Sequence, residues 1–404
     1  MAGEMNNVSK RLQAVKGSET LAIKARASEL AAQGKSIIDL SVGEPDIDTP
    51  QHIKDAALDA MKRGATKYTA AQGIEPLREA IAQKLRSENG IDADKSRIIV
   101  SNGGKQAIYE FFQAVLEPGD EVLIPAPYWV SYPTMVEIAG GKAVIVQTRA
   151  EDAFKLSPQA LASAITPRTK VLILNSPSNP TGVAYSAAEL AEIGRAVEKS
   201  GILVLSDEVY EKLVYGDFQF VSFAKAAPFL AERTVTVNAF SKTYSMTGWR
   251  VGYASGPADI IKAMIRYQSH TTSNVCSIAQ HAALAALKGP HDFLEPLRQS
   301  YQRRIAMALE AIAQMPGLRV DCIPRGAFYV FVRFDELADK CQKRRLQDSG
   351  AFAAWLLDSA GVAAVPGGAF GDESAFRISV AASDKNVSEA LERISRAVNE
   401  LCRA

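Results

Sequence analysis

The chain has 404 residues, 47% of them hydrophobic and 23% charged, and its 46 lysines and arginines against 45 acidic residues leave a net charge of +1. That length exceeds what one hydrophobic core supports, so two lobes are predicted, and the balanced charge argues against a nucleic-acid or membrane-surface partner. Cys276, Cys322, Cys341 and Cys402 are far apart and lack metal-ligand spacing, so reduced thiols and no metal site are expected. The first ten residues lack the apolar core of a signal peptide, and no run of about 18 apolar residues is present to span a bilayer. A cytoplasmic protein is the expectation.

In chain order, residues 97–100, 121–124, 142–146, 171–174, 202–205 and 234–237 are short apolar runs separated by amphipathic stretches. Runs apolar at successive positions mark strands buried on both faces, and their alternation with helices predicts an α/β domain around a mostly parallel sheet. Residues 292–315 read as a long helix leaving that sheet, with Leu294, Leu297, Tyr301, Ile305 and Leu309 near helical spacing. Pro296 is tolerable only in its first turn, and Pro316-Gly317 ends it. Strand-like runs at 328–332, 362–365 and 376–380 and a helix over 348–360 then predict a smaller α+β lobe. The expected division is an N-terminal segment, 1–48, packing with the small domain, a large α/β domain, 49–290, and the small domain, 291–404.

Four of the predicted strand ends carry chemistry. After 97–100 come Ser101-Asn102-Gly103-Gly104-Lys105, opening a helix-like run over 107–116. Glycines there let backbone amides approach an anion at the positive end of a helix dipole. A tight strand-to-helix turn uses glycines in the same way, and the pattern fits neither the dinucleotide fingerprint nor the Walker motif. After 171–174 the turn Asn175-Ser176-Pro177-Ser178-Asn179-Pro180-Thr181-Gly182 stands at the edge where open α/β sheets hold ligands. Asn179 offers an amide donor there, or only initiates a turn before proline.

The run 202–205 leads into Asp207, with Tyr210 three residues on, one turn along a predicted helix. A buried carboxylate needs a cation, and a protonated heteroaromatic nitrogen supplies one; the alternative is Asp207 as a helix N-cap. After 234–237 comes Ser241-Lys242, followed by Gly248-Trp249-Arg250-Val251-Gly252. A lysine directly after a buried strand, among a hydroxyl, glycines and a fixed cation, is a candidate Schiff-base nucleophile beside an anion site.

Together with Ser41-Val42-Gly43-Glu44-Pro45-Asp46, Thr66-Lys67-Tyr68, the segment Pro127-Tyr128-Trp129-Val130-Ser131-Tyr132-Pro133, and Phe376-Arg377-Ile378-Ser379, these motifs closely resemble class I aminotransferases, in particular the bacterial aspartate aminotransferase subgroup. The resemblance runs from about Leu12 to the C-terminus. It implies the type I fold of pyridoxal-phosphate enzymes, pyridoxal 5'-phosphate as cofactor, and a homodimer with shared active sites. Lys242 is implied as the Schiff-base lysine and proton shuttle, Asp207 as the partner of the pyridine nitrogen, Tyr210 and Asn179 as donors to the phenolic oxygen, and Trp129 as the stacking ring. Ser241, Arg250 and the amides of Gly104 and Lys105 are implied at the phosphate, with Tyr68 reaching the phosphate of the neighbouring subunit's cofactor.

Amino acid and 2-oxo acid substrates follow, with Arg377 and Gly43 gripping the α-carboxylate beside Trp129 and Asn179. Lys105, with Lys16 and Thr20, is implied at the distal carboxylate of aspartate or glutamate. Relatives acting on prephenate share these features, and aromatic or alanine aminotransferases and β-lyases of the same fold share the lysine, the aspartate and the arginine. Gly17-Ser18-Glu19, where a proline turn is common, and the compact Gly371-Asp372-Glu373-Ser374 depart from the subgroup and bear on side-chain specificity and lid motion.

Overall fold

Strands buried on both faces build the larger sheet in a computed structural model that describes residues 7–13, 15, 17, 19–344, 346 and 348–403, the side chains of 10, 11 and 19–21 excepted. After β1 (Ile38–Asp39) come β2 (Ile98–Ser101), β3 (Glu121–Ala126), β4 (Lys142–Gln147), β5 (Thr169–Asn175), β6 (Leu203–Asp207), β7 (Thr234–Ala239) and β8 (Gly252–Ser255). Among the described residues β2 to β8 form one seven-stranded sheet in the order β2-β8-β7-β6-β5-β3-β4. Val122, Ile124, Val171 and Ile173 pack with Phe111 and Phe112 on one face, while Leu123, Leu172 and Leu174 pack with Leu190 and Ile193 on the other. Both faces are covered, which is why these strands read as continuous apolar runs.

Only β8 runs against its neighbours: it is antiparallel to β2 and to β7, and it was not legible in the sequence. Its four residues, Gly252-Tyr253-Ala254-Ser255, are too few and too small to make an apolar run. Its direction matters. A reversed strand begins at the edge where the parallel strands end, so the chain entering β8 delivers Arg250 and Val251 to that edge. A Cβ on Gly252 would lie 2.5 Å from the Gly104 amide nitrogen and 2.6 Å from the Gly103 carbonyl carbon, so glycine is what lets β8 pass the turn after β2.

The smaller lobe contains β9 (Tyr329–Arg333), β10 (Val362–Ala363), β11 (Val365–Pro366) and β12 (Ala375–Ser379), with an antiparallel sheet in the order β11-β12-β9. The run 362–365, expected as one strand, divides because β10 pairs in parallel with β1 whereas β11 pairs with β12. Helices Ser349–Ala360 and Asp384–Arg403 pack here, and helix Leu294–Ala313 begins two residues before Pro296. Ala27 and Leu30 pack on Leu357 and Ala363, and the Ser379 amide donates to the Leu40 carbonyl at 2.8 Å. These contacts carry Ser41, Val42 and Gly43 to the cleft. Among the described residues no helix is long and apolar enough to cross a membrane.

Gly252→Ala is expected to cost about 1–3 kcal/mol through forced backbone displacement, seen as a lowered denaturant midpoint. Gly104→Ala is the control, since its Cβ would meet nothing closer than Ala239 Cβ at 3.5 Å, and its midpoint should not fall.

Candidate active site

The turn after β2 places Gly103 at φ 83°, where a Cβ would strike the Arg250 guanidinium. Helix Gly104–Val115 starts next, and the first amides of a helix have no carbonyl partner within it. Arg250 itself has φ 55°, a left-handed conformation uncommon for a side-chain-bearing residue, and donates to the carbonyls of Thr247 at 2.7 Å and Asn102 at 3.4 Å. A left-handed arginine thus lies against the turn that opens this helix.

β7 runs directly into the short helix Phe240–Thr243 that bears Lys242. Lys242 Nζ donates to the Gly43 carbonyl, and the place of a Gly43 Cβ lies 2.7 Å from the Tyr329 hydroxyl, so that backbone approaches only as glycine. Burial pushes the Lys242 amine down to about 8; Arg377 and Arg250 push the same way, against Glu44 and Asp207. At pH 7 about one in ten of such amines is in the neutral, nucleophilic form, far more than for a lysine at its ordinary value.

Asp207 ends β6, buried, with Oδ2 accepting from Tyr132 Oη at 2.6 Å and Oδ1 from the Val209 amide at 3.3 Å. Burial pushes its carboxyl up to about 6, while the bonds from Tyr132 and Val209 and the charge of Lys242 pull it down. Asp207 caps no helix, and Tyr210 does not sit one helical turn on. The Glu208 amide donates to the Val237 carbonyl at 2.9 Å, extending the pairing with β7, and residues 209–212 form turns. Tyr210 Oη shares a 2.9 Å hydrogen bond with Tyr329 Oη.

Asn175 Oδ1 accepts the Asn179 amide at 2.9 Å, and Asn179 Oδ1 accepts Arg377 Nη1 at 2.8 Å. Arg377, buried on β12, also donates to the Ser41 carbonyl at 2.8 Å, and its Nε has no partner. The guanidinium lies 4.2 Å from the Tyr329 ring centre and 5.1 Å from that of Phe370, and burial lowers its pKa. Lys105 Nζ stands 4.9 Å over the Trp129 ring, and burial followed by Arg250 lowers its pKa.

One cavity of about 470 Å³ is lined by Gly43, Gly104, Lys105, Trp129, Asn179, Asp207, Tyr210, Ser241, Lys242, Arg250 and Arg377. It also takes in Lys24, Glu44 and Tyr329, none of which stood out in the sequence. Tyr132 was missed too, although it lies in a matched motif, because nothing local shows that its hydroxyl reaches Asp207 across the sheet. Lys24, Lys105, Lys242, Arg250 and Arg377 therefore share a cavity with only Glu44 and Asp207 as carboxylates, and among the described residues none of the five bases forms an ion pair. Tyr68 lies apart, 90% exposed, while Lys16 and the side chain of Thr20 fall outside the described residues.

A mostly parallel sheet with an amine, an acid and two arginines at its carboxyl edge defines a class, and residues 35–394 match the model of aminotransferase class I and II: the chain belongs to that family and is a transaminase. It is 47% identical to an aspartate aminotransferase of Geobacillus stearothermophilus over 96% of this chain and 98% of that one. It is 48% identical to an aspartate/prephenate aminotransferase of Cereibacter sphaeroides over 96% and 97%. The crystal structure of the aspartate aminotransferase from Rhizobium meliloti superposes with a TM-score of 0.93 at 44% identity, covering 97% of this chain and 98% of that one.

The raised Asp207 pKa fixes a sign. Its stability contribution is present below the ordinary value of 3.8 and is lost as pH rises through about 6, because the folded state holds the proton longer. Cofactor-free Asp207→Asn is therefore expected to gain on the wild type between pH 4 and pH 7, by a few kcal/mol at most, in paired thermal melts.

Proposed function

We propose that this transaminase moves the amino group of aspartate or glutamate to a 2-oxo acid in ping-pong order, using pyridoxal 5'-phosphate. The observation that carries the reading is the buried, acid-free Arg377 in one cavity with Arg250, Lys105 and a pKa-lowered Lys242. The residues fit the cofactor. Gly103, where a Cβ would strike Arg250, lets the guanidinium lie against the turn that opens the helix, and this suits Arg250 to a phosphate together with Ser241 and the amides of Gly104 and Lys105. Asp207, buried with only a phenol and an amide as partners, suits a protonated ring nitrogen, and Trp129 a ring face.

When bound, this cofactor supplies an electron sink for the charge left on the substrate α-carbon. Lys242 is the residue that holds it at rest, and its Nζ then carries the proton taken from the α-carbon. Asp207 keeps the ring nitrogen's proton in place, while Tyr210 and Asn179 donate toward the phenolic oxygen. Arg377 grips the α-carboxylate as a planar fork, aided by the Gly43 backbone. Tyr329 and Phe370 flank that fork and keep water off it.

Lys105, whose Nζ lines the cavity over Trp129, is assigned to the distal carboxylate of a dicarboxylic substrate. Prephenate also carries two carboxylates, and the similarity to an aspartate/prephenate enzyme supports it as a second acceptor. Tyr68, exposed in the single chain, is assigned to the neighbouring subunit's site in a homodimer. The reading includes a cytoplasmic location and division into 1–48, 49–290 and 291–404.

The test is a panel of amino donors with 2-oxoglutarate or oxaloacetate, where aspartate and glutamate should give the highest kcat/KM. Lys105→Ala should lower kcat/KM for aspartate roughly ten- to hundredfold, the worth of a charge-assisted hydrogen bond, while sparing alanine. Equal losses for both substrates, or none, would remove Lys105 from the specificity pocket.

A further inference from the structure

Glu211 follows Tyr210 directly, is buried, and does not line the cavity. Its Oε1 forms an ion pair with Lys84 Nζ, and its Oε2 accepts from Asn89 Nδ2 at 2.6 Å. Lys84 Nζ also donates to Asn89 Oδ1 at 2.8 Å, closing a ring of three side chains, with only 7% of Lys84 and 5% of Glu211 exposed. Burial raises the Glu211 pKa, but the charge of Lys84 and the bonds from Lys84 and Asn89 hold it below the usual carboxylate value.

Local backbone geometry builds this ring. Lys84 ends the α-helix Glu75–Lys84, and the π-helical segment Leu85–Asn89 follows. Residues five apart in an α-helix point about 140° apart, whereas the wider π turn brings them toward one face, so that Lys84 and Asn89 converge on the same carboxylate. On the near side of the turn, Glu208 Oε1 accepts from Ser206 Oγ at 2.9 Å, Ser222 Oγ at 2.7 Å and the Phe223 amide at 3.1 Å.

Residues 208–211 belong to no helix or strand, yet they carry Tyr210 and follow Asp207. A buried ion pair is weak evidence of stabilisation, since desolvation offsets most of its attraction; what it fixes well is position. We propose that Lys84, Asn89 and Glu211 are positioning residues, a buried clamp that fixes the 207–211 turn and so aims Asp207 and Tyr210 into the cavity. The proposal rests on the pyridoxal-phosphate reading of the site. A second tie between the same segments, the part-exposed pair Lys212–Glu88 at 2.6 Å, provides a control.

The test uses the holoenzyme of the double variant Lys84→Met/Glu211→Gln, which removes both charges together and leaves neither unpaired. Its kcat, KM, thermal midpoint and the pH midpoint of the cofactor's visible absorbance are compared with those of the wild type and of Lys212→Ala. The expected result is a kcat lowered roughly ten- to hundredfold with little change in KM, and a displaced absorbance midpoint, as misplacement of Asp207 and Tyr210 requires. Lys212→Ala should match the wild type in all four. A folded double variant with wild-type kcat and absorbance midpoint overturns the proposal, even if it melts earlier. Should the double variant not fold, Asn89→Ala is expected to displace the midpoint in the same direction by less, and an unmoved midpoint overturns the clamp. A wild-type protein that takes up no cofactor would overturn the underlying reading and the clamp's purpose with it.

Discussion

Arg377 is buried, and among the described residues its guanidinium is held by an amide oxygen, a carbonyl and two aromatic faces and by no carboxylate. A charge left this way costs several kcal/mol relative to water or to a paired state, so the fold retains a standing demand for an anion at that point. Arg250 and Lys105, both more exposed, add positive charge elsewhere on the same cavity wall. Their mutual repulsion reaches Lys242, whose amine is pushed toward neutrality by burial and by both arginines. On the proposed reading the amine and the anion sites are one electrostatic arrangement, which a ligand carrying a phosphate and carboxylates would relieve.

The sheet makes that arrangement possible. Parallel strands deliver the residues after β2, β3, β5, β6 and β7 to one edge, and the reversal of β8 sends Arg250 to the same edge from the opposite direction. The small lobe and the N-terminal segment add Arg377 and Gly43 from outside the sheet. Hence the bases are spread over distant parts of the sequence and meet only in the folded chain.

Most of the sheet was legible because strands covered on both faces leave continuous apolar runs, and Lys242 was legible because its strand, hydroxyl and glycines are contiguous. The reversed β8 was not, since four residues containing glycine and alanine leave no run. Asp207 was found at its strand end, but the turn after it was misread as a helix; the Glu208 amide bonding to Val237 depends on a neighbouring strand that no local pattern reveals. Tyr132 was hidden for the same reason, its hydroxyl meeting a carboxylate 75 positions away. Lys24 and Glu44 give no local signal either, as exposed charges are common and only the folded shape puts these two on the cavity wall.

The measurement that bears most directly on the central claim is the location of the cofactor's attachment. Holoenzyme reduced with borohydride, digested and mapped by mass spectrometry should carry the pyridoxyl-phosphate mass on the peptide containing Lys242, and on no other lysine in proportion to activity lost. Attachment at Lys105 or Lys24, with Lys242 unmodified, would contradict the claim that the buried, charge-crowded amine after β7 is the reactive group.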